Sequence, residues 1–485
     1  MLARFPLKTL PSLLLGLIHL AGGAPDTRAA QPIAHPQVGV CTHLEKWNQD
    51  DIPLLIAEAG ITWIRDDFYW GRMEREKGRY ALTPEYVKNL AAAKAAGLKV
   101  IAIFNGGNRL YDDLYDPQAY ARAAAWFARE TKGLVHAIEI LNEPANFGYT
   151  KHYGGHWNGV DKNGNVDPWV GKYVHLLNTA AKAIKAANPD IKVIGLGSVA
   201  PVNFRQIAIG IAPEVDGITE HPYSFRLPPE YVPFAASEGI LKRDGIATAD
   251  ARGTFASQMR MYDELLKKHH GPKEKWLTEW GWPTHQEAKA GGLYAGFTEN
   301  AQAKYILRRL SESLGLGATV TVIYDFRDDF NEPYNPEARF GLVRTDLRPK
   351  PSYHAVKNFN AHMSGWLPRS GLEVNLFPVY TRVDRMPVIW DGSRIESSGR
   401  LMSYTFADSR GTDRIVLWSS ERADGDLNPL LSEIEIVTDR PIQRIVRHDL
   451  FTGDSTDVAF ERKPGRLVLN KFTVPDSPVT LTLHP

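Results

Sequence analysis

The sequence predicts a parallel α/β barrel of the (β/α)8, or TIM-barrel, class followed by a β-sandwich. From residue 37 to about 365, short apolar segments alternate with helical ones, and eight strand candidates can be counted. After Gly365 helical periodicity vanishes and apolar–polar alternation replaces it. No Gly-x-Gly-x-x-Gly turn follows the first strand candidate, and eight units are many for an open doubly wound sheet. That alternative therefore fits less well than a closed barrel.

The strand candidates are residues 38–42, 62–66, 99–104, 137–141, 192–196, 217–220, 276–278 and 319–325. Between them, helical stretches end on residues that stop helices. Stretch 52–59 runs into Gly60, 84–96 into Gly97, 117–131 into Gly133, and 168–187 into Asn188-Pro189. Stretch 249–269 meets Gly271-Pro272, 298–314 meets Gly315, and 352–362 closes the set. Beyond 365, residues 400–406, 414–418, 433–437, 443–447, 466–469 and 479–483 alternate as half-buried strands do, with turns such as Ser409-Arg-Gly-Thr-Asp413 between them. The expected organisation is a leader at 1–30, a barrel at 31–366 and an accessory sandwich at 367–485.

The leader reading rests on Arg4 and Lys8 ahead of an apolar run at 10–20, then small residues through Ala29-Ala30. That run is too short to span a bilayer, so it reads as a secretory signal, and the protein is expected to be periplasmic or secreted without membrane insertion. The single cysteine, Cys41, excludes an internal disulfide and lies in a strand that reads as buried. Lys+Arg 57 against Asp+Glu 56 gives a net charge of +1, which makes no electrostatic case for nucleic acid as a partner. A neutral ligand fits better, and 12 Trp, 19 Tyr and 19 Phe suit the stacking of sugar faces. A monomer is expected.

Chemistry in a TIM barrel sits where strands end, on the C-terminal rim. The fourth strand ends in Glu139-Ile-Leu-Asn-Glu-Pro144 and the seventh in Thr278-Glu-Trp-Gly-Trp-Pro283. Glu143 and Glu279 thus occupy equivalent places, on strands whose rims face each other across the mouth. Two carboxylates converging on one cavity are what glycoside hydrolysis requires: one protonated to assist the leaving oxygen, the other ionised to attack or to activate water. A second Asn-Glu-Pro, at 331–333, lies well into a loop, and Glu332 reads as an ordinary loop residue.

These motifs resemble clan A of the glycoside hydrolases, and within it family 39 and its exopolysaccharide-cleaving relatives. The resemblance runs along most of the barrel: Arg65 ends strand two, His221-Pro-Tyr223 ends strand six, and Phe340-Gly-Leu-Val followed by Pro349-Lys-Pro-Ser-Tyr353 comes after strand eight. One position departs, Leu141, where many family members carry Trp. The resemblance implies a retaining double displacement, with Glu143 as general acid/base and Glu279 as nucleophile. It implies that Asn142 binds the 2-hydroxyl of the sugar under attack, and that Arg65 and Tyr223 hold Glu279 ionised by donating to it. Glu143 is then expected to have a raised pKa, from partial burial and the nearby charge of Glu279.

Around the pair, Asn105, directly after strand three, is placed either to reach substrate or to open an ordinary turn. His221 and Tyr223 straddle Pro222 and both fit the substrate mouth, and Arg65 is also placed to pair with Glu139 inside the barrel. One of Trp280, Trp282 and Tyr324 is expected to floor the sugar site, with Trp47, Trp70, Trp157 and Trp169 in or near rim loops. No metal or cofactor is expected: His152 with His156 and His269-His270 lack a third ligand at useful spacing, and His43 stands alone at the first strand. The expected function is hydrolysis of β-linked sugars, endo-acting on a bacterial exopolysaccharide. The alternatives are an exo-acting β-xylosidase or β-glycosidase, and a non-catalytic carbohydrate-binding or polysaccharide-assembly protein.

Overall fold

The structure, a computed structural model, describes residues 37–287, 292–369, 371–378, 400–423 and 430–485, all within one compact unit spanning 34–485. The leader expected at 1–30 lies outside the described residues.

Eight parallel strands close into a barrel: β1 (Val38–Cys41), β2 (Trp63–Tyr69), β3 (Lys99–Asn105), β4 (Ala137–Ile140), β5 (Lys192–Ser198), β6 (Gly217–Glu220), β7 (Glu274–Trp280) and β8 (Val320–Ile323). They pair in ring order, and β1 joins β8 through Val38↔Thr321 and Val40↔Ile323. The strands read as near-continuous apolar runs because both faces are covered, one by the ring of helices and one by the barrel centre. Alternation along each strand sets what fills that centre. Trp63, Ile101, Ala137, Ile194 and Trp276 form its apolar layer, with the two indoles edge to face at 5.3 Å. Gly217 makes room for this, since a Cβ there would lie 2.6 Å from the Trp276 ring. Two residues further along, toward the C-terminal rim, β2, β4 and β7 carry Arg65, Glu139 and Thr278, all buried. The barrel centre thus changes from apolar to ionic as it nears the rim.

Each strand is followed by a helix: α1 (Ile52–Glu58), α2 (Pro84–Ala95), α3 (Pro117–Glu130), α4 (Pro168–Ala187), α5 (Ala200–Ile209), α6 (Phe255–Lys268), α7 (Glu299–Gly315) and α8 (Pro351–Met363). Their starts follow from local chemistry. Thr83 before Pro84 and Asp116 before Pro117 accept hydrogen bonds from Tyr86 N and Ala119 N, while proline fills a first-turn position that needs no N–H. Two differences from the sequence reading concern helices. α5 falls where Ala200-Pro-Val-Asn gives no clear apolar stripe. α6 starts at Phe255 rather than 249, because Thr254 caps it by accepting from Ser257 N.

Ten strands follow: β9 (Leu367–Pro368), β10 (Val374–Pro378), β11 (Leu401–Ala407), β12 (Asp413–Ser419), β13 (Leu430–Val437), β14 (Arg444–Asp449), β15 (Ser455–Val458), β16 (Glu461–Lys463), β17 (Arg466–Val474) and β18 (Val479–His484). They form a sheet of order β9-β11-β12-β18-β14-β15 and another of order β10-β13-β17-β16. Ile415, Leu417, Ile434, Ile436, Leu467 and Leu481 supply the apolar core of the sandwich.

The sandwich covers α7. Lys304 binds Asp476 (3.0 Å), Arg308 binds Glu230 (2.5 Å) and donates to the Glu421 carbonyl (2.7 Å), and Tyr404 donates to Glu312 (3.2 Å). Trp418 Nε1 completes the group by donating to Glu230 (2.6 Å). Gly315 lets the Tyr404 ring lie against the end of the helix, where a Cβ would sit 2.2 Å from it. Every residue of α7 from Ala301 to Ser313 is buried, the four charged ones included.

Candidate active site

The ionic layer of the barrel is the floor of the site. Arg65 leaves β2 pointing inward, and its planar fork serves three partners at once. It pairs with Glu139 through Nε (2.7 Å) and Nη2 (3.2 Å), with Glu279 Oε2 through Nη1 (2.9 Å), and with Asn142 Oδ1 through Nη2 (2.8 Å). A buried arginine without counter-ions is very costly, so these contacts fix both the guanidinium and the three groups it holds. Arg65 accordingly stays far above its ordinary pKa: burial opposes its charge, but Glu139 and Glu279 outweigh that. Asn142, having turned its oxygen to Arg65, leaves its amide N–H2 to face the cavity.

Glu279, on β7, accepts on both oxygens, from Arg65 and from Tyr223 Oη (2.8 Å). Glu143 is placed differently. β4 ends at Ile140, and Leu141 and Glu143 then take positive φ values of 63° and 40°, turning the chain sharply before Pro144. Such backbone costs about 1–3 kcal/mol per residue and persists only where its surroundings enforce it. The Glu143 carboxyl accepts from Asn146 Nδ2 (3.1 Å) and faces His221 Nδ1 (2.9 Å). One carboxylate oxygen of Glu143, one of Glu279 and one ring nitrogen of His221 lie within 4.8 Å of one another.

His221 is fully buried behind the two glutamates, and its other nitrogen meets Thr278 Oγ1 (3.1 Å). Burial disfavours an imidazolium, yet Glu279, Glu139 and Glu143 together lift His221 to about 10. The expected raised pKa of Glu143 is not found. Burial does push it up, but the hydrogen bond and charge of His221 outweigh burial and hold it below the usual value. One contact thus has opposite effects on the two groups, lowering Glu143 and raising His221, so that of the two it is His221 that the surroundings favour as the protonated partner.

These groups open onto a cavity of about 700 Å³. Arg65, Asn142, Glu143, Tyr223, Glu279 and Tyr324 line it. His221 and Asn105 stand behind the lining. Asn105 Nδ2 donates to Asp67 (2.7 Å) and its oxygen accepts from Asn142 N (3.3 Å), so it positions Asn142 from behind. Trp280 and Trp282 are buried in the barrel wall, their indoles donating to Thr321 Oγ1 (3.0 Å) and the Leu227 carbonyl (3.2 Å), and neither lines the cavity. Of the loop tryptophans only Trp157 lines it; Trp47, Trp70 and Trp169 are buried. Glu332 is exposed and not among the lining residues.

The sequence reading missed Asp67, Phe225, Phe234, Tyr294 and Glu337, which also line the cavity. Tyr294 lies edge to face with Tyr223 (5.8 Å) and Phe340 (5.2 Å), so the aromatic surface on the Glu279 side comes from three separate rim segments. It also missed that the loop after β8 brings Asp325 and Asp329 to His43, giving a second group of ligand-type side chains. A search for closely spaced ligands has no means of pairing residue 43 with residues some 280 positions away.

No protein-family model matches the sequence, and no curated protein sequence matches it. The fold is similar to solved structures. One is a family 39 glycoside hydrolase from the gut symbiont Bacteroides cellulosilyticus, 21% identical over 93% of this chain and 81% of that one, with a TM-score of 0.65. Another is the catalytic domain of the family 30 xylanase C from Talaromyces cellulolyticus, 11% identical over 93% of this chain and 98% of that one, with a TM-score of 0.50. The shared feature is architecture.

Proposed function

We propose that the protein is a retaining glycoside hydrolase that cleaves β-linked sugars, with Glu279 as nucleophile and Glu143 as acid/base. The observation that carries this is the spacing of the pair. Retention needs carboxyl groups about 5–5.5 Å apart, so that one attacks the anomeric carbon directly, whereas inversion needs about 6.5–9.5 Å to admit a water. Nearest oxygens within 4.8 Å of each other fit the first spacing better than the second.

In this reading Arg65 and Tyr223 orient Glu279 for attack, and the free amide of Asn142 donates to the sugar 2-hydroxyl, a contact that strengthens in the oxocarbenium-like transition state. The proton shared by His221 and Glu143 passes through Glu143 to the leaving oxygen. Once Glu279 is glycosylated its charge is gone, and Glu143, as a carboxylate, accepts a proton from the incoming water.

The preferred substrate is a polymer cut internally, an exopolysaccharide reached outside the cytoplasm if residues 1–30 direct export. Aromatic surface beside both carboxylates supports this: Tyr294 and Tyr324 adjoin Tyr223 on the Glu279 side, while Phe147, 52% exposed, lines the cavity four residues after Glu143. An exo-acting enzyme has less use for apolar surface on the leaving-group side.

Proton NMR of the first-formed product tests the stereochemistry, with the β-anomer expected and the α-anomer overturning the nucleophile assignment. The product-length profile on a glycan panel tests the mode of cutting: early products of mixed length support internal cleavage, and release of single sugars from the outset overturns it. Absence of new reducing ends on every β-glycan, with Glu279→Gln as control, would favour the binding protein instead.

A further inference from the structure

At the edge of the cavity, the segments after β1 and after β8 bring three ligand-type side chains together. His43 Nδ1 lies 3.3 Å from Asp329 Oδ1, and one oxygen of Asp325 completes a set of donor atoms mutually within 4.8 Å. Asp325 is fully buried, and neither of its carboxylate oxygens has a hydrogen-bond partner. A buried polar group left unbonded costs about 1–3 kcal/mol, and a carboxylate more. Its neighbours are already engaged elsewhere. Asp329 takes Lys46 on Oδ2 (2.7 Å) and Trp47 Nε1 on Oδ1 (2.6 Å), and Asp328 takes Lys350 (2.7 Å).

The same proximity occurs in Glu143, His221 and Glu279, but there every side chain has hydrogen-bond partners, supplied by Arg65, Tyr223, Asn146 and Thr278. The Asp325 set differs in lacking one.

We propose that His43, Asp325 and Asp329 form a site for one divalent cation of the zinc class. One imidazole and two carboxylates suit Zn²⁺ or Mn²⁺ and disfavour Ca²⁺, which prefers an all-oxygen shell. The bonds from Lys46 and Trp47 to Asp329 orient that ligand, as outer partners do around metal sites. Three protein ligands leave further coordination positions open, and His43 and Tyr324 put them at the cavity wall, where an oxygen of a bound ligand can complete the shell. The site stands independently of the glycosidase reading.

The test uses the untagged full-length protein, stripped with a chelator and titrated with ZnCl₂ alone by calorimetry, alongside Asp325→Asn, His43→Gln and Glu143→Gln. The expected result is one zinc per chain in the parent and in Glu143→Gln, with affinity reduced at least 10-fold in both Asp325→Asn and His43→Gln. Circular dichroism confirms that each variant is folded, and His43, being partly exposed, keeps the test open if Asp325→Asn is not. The proposal is overturned by no binding tighter than millimolar, by binding unchanged in the folded ligand variants, or by loss of zinc in Glu143→Gln, which would place the ion on the catalytic pair. Ca²⁺ bound more tightly than Zn²⁺ would also overturn it.

Discussion

The chain carries Asn-Glu-Pro twice, and the two copies are different chemical objects. Asn142-Glu143-Pro144 leaves β4 through two positive-φ residues, sits over the Arg65–Glu139 ion pair and faces Glu279. Asn331-Glu332-Pro333 is exposed throughout, and the Glu332 side chain has one long contact, 3.5 Å from Asn335 Nδ2. The tripeptide itself therefore carries no function. What sets Glu143 apart is a strand end that fixes its backbone, a histidine against its carboxyl and a carboxylate opposite.

That contrast can be broken most forcefully at Glu279. Glu279→Ala is expected to lower turnover by at least about 10⁴-fold on any substrate, as loss of a catalytic nucleophile does. Glu143→Ala should cost about 10²- to 10⁴-fold on substrates with basic leaving groups and far less on activated aryl glycosides. Azide sharpens the assignment. In Glu143→Ala it should restore turnover through a β-glycosyl azide, because it needs no base; in Glu279→Ala it can only displace directly and give the α-azide. Azide products of the opposite configuration would show the two roles reversed.

A smaller change is expected from His221→Asn. With His221 lifted to about 10, the pair keeps its proton well into the alkaline range. Without the imidazolium, the influence that lowers Glu143 is gone, and the proton rests on a buried carboxyl alone. The alkaline limb of kcat/KM should then move to lower pH by more than one unit. An unmoved limb would mean that the proton is held elsewhere. Glu230→Gln, in the group joining α7 to the sandwich, should leave Arg308 buried with its counter-charge removed, costing about 3–5 kcal/mol in thermal unfolding with kcat of the folded protein unchanged. The smallest effect belongs to the second tripeptide: Glu332→Ala should change kcat/KM less than twofold.

The barrel was legible because parallel strands buried on both faces read as apolar runs, and because Gly, Asn-Pro and Gly-Pro mark where the helices stop. Glu143, Glu279, Arg65 and Tyr223 were legible because strand ends are fixed by that pattern. Tyr294 and Glu337 were not, since rim loops have no periodicity and their approach to the cavity depends on the whole ring. Trp280 and Trp282 misled for the converse reason. A register shift between Leu277 and Trp280 breaks the alternation of β7, so Trp280 turns to Thr321 and the helix-side core although Trp276 and Thr278 face the barrel centre. Trp282, two residues beyond the strand, turns back under the rim to the Leu227 carbonyl. The low pKa of Glu143 was likewise hidden, because it depends on a histidine 78 residues away.

The covering of α7 bears on how the chain acquires its structure during synthesis. Lys304 meets its counter-charge, Asp476, 172 residues later in the sequence, so a ribosome must complete nearly all of the sandwich before that buried charge is neutralised, whereas Arg308 already has Glu230 upstream. Until then the seventh helix has a ready apolar stripe for the barrel but an outer face with nothing to rest against. A nascent chain that has finished its eighth strand is therefore still short of its full stability, and the interval before Asp476 emerges is when a chaperone, or a protease, has most access to it.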